Sequence, residues 1–427
     1  MSPTDAAAES AGLGYTLLCA PAPRWPPGRR KLSIEGAEVT VKARRVVVGM
    51  SGGVDSSVAA ALLKEQGYEV IGVTLSLSPK LTADEAAERD DACCTLAAVE
   101  DARRVADKLG IDHYCLNFRE IFAERVIGNF IAEYRRGRTP NPCVRCNDHV
   151  KFEAVLRRAR AMDADLVATG HYARIEHCPA AERHLLRKGL DPRKDQSYVL
   201  YVLTQDELAH TLLPLGELVK EQTRELARKL GLRVADKPES QEICFVVDDD
   251  YGSFLRRVAP EVVQPGPVLD LGGRVVGEHK GVAFYTIGQR RALGIATGQP
   301  LYVVDIDVRR SAVVVGPEEA LYREEVLADD VNLIGVAALD EPIRVQAKVR
   351  YRMPAAEGWL EQPSADRLLL RFDRPQRAIT PGQSLVCYQG DTVVGGGTIL
   401  AAGPGAGRSA QAGQAGPASR VARPARR

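Results

Sequence analysis

The chain has 427 residues, 45% hydrophobic and 26% charged, so it is long enough to bury more than one core. Its 57 Lys and Arg residues nearly balance its 56 Asp and Glu residues, which excludes a protein that coats nucleic acid through global positive charge. No apolar run reaches the ~18 residues of a membrane-spanning helix, and nine cysteines in so long a chain are typical of thiol or metal chemistry under reducing conditions. We expect a cytoplasmic protein without a membrane segment.

The two ends of the chain differ in composition from the rest. Residues 1–42 are rich in Ala, Pro and Gly, and residues 403–427 carry arginines but no acidic residue. These compositions predict a disordered extension and a disordered basic tail. Between them we predict domains at residues 43–250, 251–325 and 326–402.

The first domain alternates strand-like and helix-like segments. Arg44 to Met50 contains the apolar run Val46–Val48, which is typical of a strand buried on both faces. Further strands are predicted at Glu69–Leu77, His113–Asn117 and Leu166–Thr169. Apolar residues at helical spacing predict helices at 56–66, 95–109 and 120–136. Repeated βα units predict an α/β fold with a doubly wound parallel sheet.

The composition and the hydrophobic pattern of the sequence change after about Val246. Gly and Pro become frequent, and apolar residues alternate with polar ones, as in Val345–Tyr351. This pattern predicts two smaller β-rich domains, with a new set of strands beginning after Asp330.

The strongest chemical signal is the segment Gly49-Met-Ser-Gly-Gly-Val-Asp-Ser-Ser57, between the first strand and the first helix. Adjacent glycines let several N–H groups converge at the positive end of a helix, where phosphate oxygens bind well. Asp55 is unusual there, because a carboxylate repels phosphate unless it holds Mg²⁺ or caps the turn. The Gly-Lys-Ser/Thr ending of a Walker loop is missing. The segment resembles instead the pyrophosphate-binding loop of the N-type ATP pyrophosphatases, which adenylate a carbonyl oxygen.

A second signal lies at Gly137–Phe152, where prolines stiffen a loop that carries Cys143 and Cys146. A Cys-x-x-Cys pair can be a redox couple, half of a zinc site or part of an iron–sulfur site. From Arg135 to Arg160 there are eight basic and two acidic residues, and such a stretch attracts a phosphate backbone.

Three further clusters accompany these signals. Ala168–Tyr172 follows a predicted parallel strand, where ligands bind in open α/β sheets. Lys194–Tyr198 is a dense polar run. Ser240–Phe245 places Cys244 in a predicted short apolar strand.

Taken in order, these segments resemble the tRNA-specific 2-thiouridylases over about residues 44–400. The matching segments are Gly49–Ser56, Thr139–Pro142 with Cys146 and Asn147, Thr169–Tyr172, Lys194–Tyr198, Ile243–Phe245, Thr286–Arg291, Arg350–Arg352 and Thr380–Gln383. The resemblance implies an enzyme that converts the wobble uridine of tRNAs for Lys, Glu and Gln to 2-thiouridine. It further implies the use of ATP with Mg²⁺, and of persulfide sulfur from a cysteine desulfurase or a relay protein.

The resemblance also assigns roles to individual residues. Cys244 would carry the persulfide and Cys146 would be its catalytic partner. The ATP-binding residues would be Gly49, Met50, Ser51, Gly52, Gly53, Val54, Asp55, Ser56, Leu75 and Gly170. The tRNA-binding residues would be Asn141, Pro142, Cys143, His171, Lys194, Asp195, Gln196, Arg350, Tyr351 and Gln383, with the last domain a barrel-like tRNA-contacting unit.

The sequence departs from the family pattern at Cys143, where many members carry an Asp assigned as a general acid or base. Two mechanisms follow. Cys143, Cys146 and Cys244 would ligate a [4Fe–4S] cluster with one iron left for the incoming sulfide, or Cys146 and Cys244 would form a disulfide relay. Cys93 and Cys94 have no assigned role.

Two other classes of function are compatible with parts of the sequence. An amide-forming ATP pyrophosphatase would need a source of ammonia and would leave three cysteines without a role. A non-catalytic tRNA-binding sulfur carrier would not need an intact phosphate loop.

Overall fold

The computed structural model describes residues 31–34, 37–40, 43–77, 96–238, 243–246, 251–295 and 298–403. An antiparallel hairpin joins β1 (Lys31–Ile34) to β2 (Ala37–Thr40), within the stretch for which composition predicts disorder. The remainder of that extension, residues 404–427 of the tail, and both Cys93 and Cys94 lie outside the described residues.

A five-stranded sheet forms the centre of the first domain, and all its pairings are parallel. Its strands are β3 (Arg45–Gly49), β4 (Glu69–Ser76), β5 (Asp112–Asn117), β6 (Leu166–Ala168) and β9 (Thr211–Leu212). They lie in the order β5-β4-β3-β6-β9, with the loop-bearing strand β3 in the middle. The sheet confirms the predicted α/β fold.

Helices cover both faces of this sheet and create two cores. Val46 and Val48 enter one core with Val58, while Val47 enters the other with Phe152, which explains why the whole run is buried. The α-helices of the domain are Val54–Glu65, Leu96–Leu109, Arg119–Phe122, Gly128–Arg135, Pro142–Cys146, Val155–Arg160, Ser197–Leu200, Gln205–Ala209 and Lys220–Lys229. Two π-helical segments, Ala123–Ile127 and Asn147–Ala154, continue neighbouring helices. Among the described residues, no helix combines the length and hydropathy that crossing a membrane requires.

The central domain begins with the helix Tyr251–Val258 and continues as a four-stranded sheet. Its strands are β10 (Gly266–Leu269), β11 (Val275–His279), β12 (Tyr302–Asp307) and β13 (Ala312–Gly316). Its core contains Val268, Val303, Val313 and Val315, all fully buried. This is the smaller of the two predicted β-rich units.

The last domain is a closed barrel. Its strands are β14 (Tyr322–Leu333), β15 (Ile343–Lys348), β16 (Ala356–Ser364), β17 (Arg367–Arg377), β18 (Ser384–Gln389) and β19 (Thr392–Ala402). They run in the order β14-β17-β16-β15-β18-β19, and β14 also pairs with β19. The predicted start of this strand set after Asp330 was wrong, because β14 begins at Tyr322 and Asp330 lies in a bulge within it, at a φ of 54°.

A hairpin from the first domain extends the sheet of the barrel. It consists of β7 (Ala173–Cys178) and β8 (Arg183–Lys188), and β8 pairs with β19 through Arg187 and Thr392. Asp391 binds Arg174 at 2.6 Å and Arg187 at 2.9 Å across the same junction. The first domain and the barrel are therefore joined by both backbone pairing and charge.

The segment around Cys244 is a turn, and its prediction as a strand was wrong. The Val246 N–H donates to the Ile243 carbonyl at 3.0 Å, which closes the turn. Phe245 packs edge-on against Phe122 and Phe130, at ring-centroid distances of 5.7 and 5.2 Å. The apolar character of the segment thus reflects ring packing and not a sheet. Ser240, Gln241 and Glu242 of the same motif lie outside the described residues.

Candidate functional site

The glycine-rich loop leaves β3 and enters the helix Val54–Glu65. The Met50 N–H donates to the Val73 carbonyl at 2.8 Å, and the Thr74 hydroxyl donates to the Met50 carbonyl at 2.8 Å. The N-cap of the helix is Gly53, and no side chain caps it. Backbone N–H groups at the positive end of a 12-residue helix therefore face the loop, as an anion site requires.

Two glycines in this region have no room for a side chain. Gly52 has a φ of +70°, and a Cβ there would lie 2.3 Å from the Ala98 carbonyl oxygen. A Cβ on Gly170 would lie 2.7 Å from the Ser56 nitrogen, so Gly170 packs directly against the loop. The structure thus brings the predicted ATP-binding residue Gly170 to the loop. Leu75, near the end of the neighbouring strand, packs against the core.

Asp55 lies in the first turn of the helix with its carboxylate bound by two side chains. Lys220 Nζ lies 2.7 Å from both carboxylate oxygens, and the Tyr172 hydroxyl donates to Oδ1 at 2.8 Å. The Tyr172 hydroxyl also lies 3.0 Å from Thr223 Oγ1. Sequence reasoning missed Lys220 and Thr223, because a lysine and a threonine in a surface-type helical pattern carry no local signal. Tyr172 belonged to a motif already recognised.

His171, next to Gly170 in the chain, is buried rather than on the surface. It is 9% exposed, Thr169 Oγ1 lies 2.7 Å from its Nδ1, and its ring is 5.9 Å from that of Phe152. Burial, assisted by the charge of Lys151, lowers the pKa of His171 to about 3. The imidazole is therefore neutral at physiological pH, and its assignment to tRNA stays a prediction.

The cysteine helix, Pro142–Cys146, begins with a proline and a side-chain cap. The Val144 N–H donates to Asn141 Oδ1 at 3.4 Å, and Pro142 occupies the first turn. Cys143 is exposed and Cys146 is buried at the end of the helix. The predicted tRNA-binding residues Asn141 and Pro142 thus build the start of this helix.

The structure brings Cys146 and Cys244 to the same apolar cluster. Cys146, 6% exposed, belongs to the core that includes Phe245, and the half-buried Cys244 packs against that core. No disulfide joins the two in the described part of the chain. Close packing around two thiols is an arrangement in which a relay can operate.

The barrel holds the loop that precedes the cysteine helix through hydrogen bonds. Gln383 Nε2 donates to the Thr139 carbonyl at 3.0 Å and to the Pro140 carbonyl at 3.3 Å. The Thr139 N–H donates to the Pro381 carbonyl at 2.9 Å. Gly382 has a φ of +89°, and a Cβ there would lie 2.8 Å from the Thr139 oxygen. Gln383, predicted to bind tRNA, therefore holds the cysteine loop in place.

A second barrel contact reaches the cysteine helix itself. Arg145 forms an ion pair with Asp330 and donates to Thr398 Oγ1 at 3.1 Å. Burial opposes the charge of Arg145, yet Asp330 holds the pKa of this guanidinium above its ordinary value. The helix that carries both cysteines of the pair is thus anchored by a charge from the strained bulge in β14.

Other residues predicted to bind tRNA also make internal contacts. Asp195 is buried and accepts from the N–H groups of Gly189 and Ser197, both at 3.0 Å. Gln196 Oε1 accepts from the Tyr172 N–H at 2.9 Å. Lys194, beside them, is half-buried.

Arg350 and Tyr351 link the barrel to its neighbours. Arg350 donates to the Ile287 carbonyl at 2.8 Å and the Ala378 carbonyl at 2.9 Å, and burial lowers its pKa. Tyr351 is 36% exposed, and its hydroxyl donates to the Asp195 carbonyl at 3.1 Å.

The basic stretch is partly neutralised by ion pairs. Its paired members are Arg135 with Glu261, Arg136 and Arg138 with Glu133, Arg145 with Asp330 and Arg160 with Asp206. Arg157 and Arg158 are exposed on the helix Val155–Arg160. The positive field is therefore weaker than the residue count predicts, and these two side chains are placed to contribute to it.

The fold joins a parallel sheet, which carries a glycine-rich loop on its central strand, to two β domains. This arrangement places the chain in a class of three-domain proteins whose parts match known families. Residues 44–248 match the family described as tRNA methyl transferase HUP domain, residues 252–317 its PRC-barrel domain, and residues 323–399 the aminomethyltransferase beta-barrel domain.

Three curated relatives narrow this class. The chain is 54% identical to tRNA-specific 2-thiouridylase MnmA 2 of Caldanaerobacter subterraneus subsp. tengcongensis, over 84% of this chain and 98% of the relative. It is 55% identical to tRNA-specific 2-thiouridylase MnmA of Symbiobacterium thermophilum, over 84% of this chain and 92% of that relative. It is 50% identical to the protein of that name in Clostridioides difficile, over 83% and 98%. The chain belongs to the tRNA-specific 2-thiouridylase family.

Proposed function

We propose that this protein is an ATP-dependent tRNA-uridine 2-sulfurtransferase, which replaces the C2 oxygen of the wobble uridine (position 34) with sulfur and releases AMP and pyrophosphate. The observation that carries the proposal is the presence of a helix-start anion loop and two clustered cysteines in one chain whose match covers 98% of a 2-thiouridylase relative. Activation and sulfur transfer are the two chemical steps that this conversion needs.

The loop from Gly49 to Ser56 supports the activation step. The C2 oxygen of uridine is a poor leaving group. Its attack on the α-phosphate of ATP expels pyrophosphate and forms an adenylate, from which the oxygen can later leave as part of AMP. The N–H groups at the helix start suit the phosphates, and Gly170 packs against the backbone of the loop at Asp55 and Ser56, where a side chain would not fit. Leu75 and Gly170 are proposed to contact the adenosine.

Cys146 and Cys244 support the sulfur step. In the proposed relay, Cys244 carries a persulfide, and the Cys146 thiolate attacks its inner sulfur. The released hydrosulfide displaces AMP from C2, and the resulting Cys146–Cys244 disulfide is reduced by an external thiol. Their shared packing supports this relay. A [4Fe–4S] cluster is the alternative, and it would also require Cys143 as a ligand.

Mg²⁺ is expected to enter with the triphosphate of ATP. Both oxygens of Asp55 lie at 2.7 Å from Lys220 Nζ, so this carboxylate does not fit the role of a Mg²⁺ ligand. Among the described residues, only Asp148, His149 and Glu153 bring three potential ligand atoms within 4.8 Å of one another.

The tRNA substrate is proposed to be the isoacceptors for Lys, Glu and Gln, with sulfur from a cysteine desulfurase or a relay protein. The exposed Cys143, Arg157 and Arg158 support an RNA-facing surface beside the cysteine helix. A cytoplasmic location agrees with thiols that must stay reduced.

Nucleoside mass spectrometry of tRNA from cells lacking the protein tests the proposal. We expect 2-thiouridine and its derivatives to disappear from these tRNAs, and to return when the wild-type chain or a Cys115→Ser control is supplied. The exposed Cys115 lies on β5 and makes that control. Unchanged 2-thiouridine would contradict the proposal. AMP release by the purified protein separates the two alternatives from the proposal. Neither an amide-forming synthetase nor a non-catalytic sulfur carrier would release AMP in a manner that depends on tRNA.

A further inference from the structure

The carboxylate of Asp55 lies within the phosphate loop and is paired with a cation of the protein. Lys220 Nζ is 2.7 Å from each of its oxygens, and the Tyr172 hydroxyl donates to Oδ1 at 2.8 Å. A carboxylate bound in this way adds little negative charge to the loop. Phosphate oxygens then meet the helix N–H groups without a facing anion.

The backbone of Lys220 is held in place by a residue other than Asp55. It opens the helix Lys220–Lys229, its N–H donates to Asp191 Oδ2 at 3.1 Å, and Asp191 is itself 1% exposed. The side chain of Lys220 is 7% exposed, and its ammonium lies 5.8 Å from the centre of the Tyr172 ring. An ammonium buried to this degree is stable only beside its counter-charge.

Asp55 has little freedom to leave this partner. A Cβ on Gly170 would lie 2.9 Å from the Asp55 Cβ, so the backbone at Gly170 closes one side of Asp55 while Lys220 holds its carboxylate. Coordination of a metal ion by Asp55 would bring a second cation beside the Lys220 ammonium and would compete with its two short charge-assisted hydrogen bonds.

We propose that Lys220 is a positioning residue of the nucleotide site, which neutralises and fixes Asp55 so that the loop accepts the triphosphate of ATP, and that Asp55 is not a ligand of Mg²⁺. The inference rests on the proposed function only in that ATP is the nucleotide bound.

The test is a charge-removal cycle measured by calorimetric binding of MgATP to the full chain. Lys220→Met exposes the Asp55 carboxylate to the triphosphate, so we expect ATP affinity to fall by about tenfold or more. We expect Asp55→Asn together with Lys220→Met to restore affinity to within about threefold of wild type, because the repelling charge is gone. Lys220→Arg should retain binding. Lys229→Met, an exposed position on the same helix, is the matched control.

The Mg²⁺ dependence of binding separates this account from a purely structural role. In Lys220→Met the uncovered carboxylate can hold a cation, so ATP affinity should depend more steeply on Mg²⁺ than in wild type. The inference is overturned if the double variant binds ATP as weakly as Lys220→Met. It is also overturned if Asp55→Asn alone abolishes the Mg²⁺ dependence. Circular dichroism identifies any variant that fails to fold. If Lys220→Met does not fold, the double variant has no unpaired charge, and its ATP affinity compared with that of wild type decides the question. If the wild-type protein binds ATP but does not thiolate tRNA, the proposed function is contradicted and this inference is not.

Discussion

The phosphate loop and the cysteine helix are built in opposite ways. The loop is shaped mostly by residues next to it in the chain, with a strand before it, glycines within it and a helix after it. The cysteine helix depends on the barrel, which supplies Asp330 to Arg145 and Gln383 to the preceding loop. The backbone of the loop is therefore encoded locally, although Gly170 and Lys220 reach it from farther along the chain, whereas the position of the cysteine helix depends on contacts from the distant barrel.

Removal of either relay thiol should produce the largest effect and should separate the two regions. We expect Cys146→Ser and Cys244→Ser each to abolish 2-thiouridine formation while MgATP binding stays near wild type, because neither residue lies in the loop. Thiolation assays with purified protein and tRNA measure the first quantity, and calorimetry measures the second. Cys115→Ser is the control, and thiolation by Cys244→Ser at the wild-type rate would contradict the relay.

The role of Cys143 decides between the relay and the cluster. The relay predicts that Cys143→Ser retains thiolation within about tenfold of wild type in metal-free buffer, since only two thiols exchange sulfur. Anaerobic purification followed by iron and sulfide analysis provides the second readout. Stoichiometric iron in wild type, lost with activity in Cys143→Ser, would replace the relay with a [4Fe–4S] mechanism.

Breaking the ion pair between the barrel and the cysteine helix should have an intermediate effect. Asp330→Asn leaves the guanidinium of Arg145 with only the more distant carboxylate of Asp148, at 3.9 Å, at a cost of about 2 kcal/mol in this partly exposed setting. We expect thiolation to fall by about tenfold or more while ATP affinity is unchanged. Asp373→Asn removes a comparable carboxylate from an exposed barrel pair with Arg344 and is the control. Equal losses in both variants would show that the pair acts only on general stability.

Gln383 gives a smaller effect that distinguishes positioning from RNA contact. Gln383→Ala removes two hydrogen bonds to carbonyls of the cysteine loop, worth about 1 kcal/mol each. As a positioning residue, it should affect the thiolation rate by several fold and leave the dissociation constant of tRNA unchanged. Weaker tRNA binding with a normal single-turnover rate would instead support the predicted contact of Gln383 with RNA.

The smallest expected effect concerns the basic stretch. Affinity for tRNA should fall as salt rises, and Arg157→Ala or Arg158→Ala should each lower the slope of log K against log salt by about 0.7–0.9. Arg160→Ala, whose charge is paired with Asp206, is the matched control and should change the slope less. Salt-insensitive binding between ~50 and ~200 mM would contradict an electrostatic RNA surface.

The comparison also explains which features could be predicted from the sequence. The strand–loop–helix unit was predictable, because apolar runs, helical spacing and paired glycines act over neighbouring residues. Lys220 could not be assigned to Asp55, since 165 positions separate them, nor Asp330 to Arg145 across 185 positions. The turn at Cys244 was mistaken for a strand, because packing of Phe245 against other rings produces the same apolar pattern as a sheet.

The most direct test of the account measures AMP and 2-thiouridine together, in one reaction of the purified protein with unmodified tRNA, MgATP and a persulfide donor. The account predicts one AMP for each 2-thiouridine formed, with neither product in the absence of tRNA. AMP release without tRNA, or thiolation that proceeds without ATP, would contradict the claim that the loop activates the base that the cysteines then thiolate.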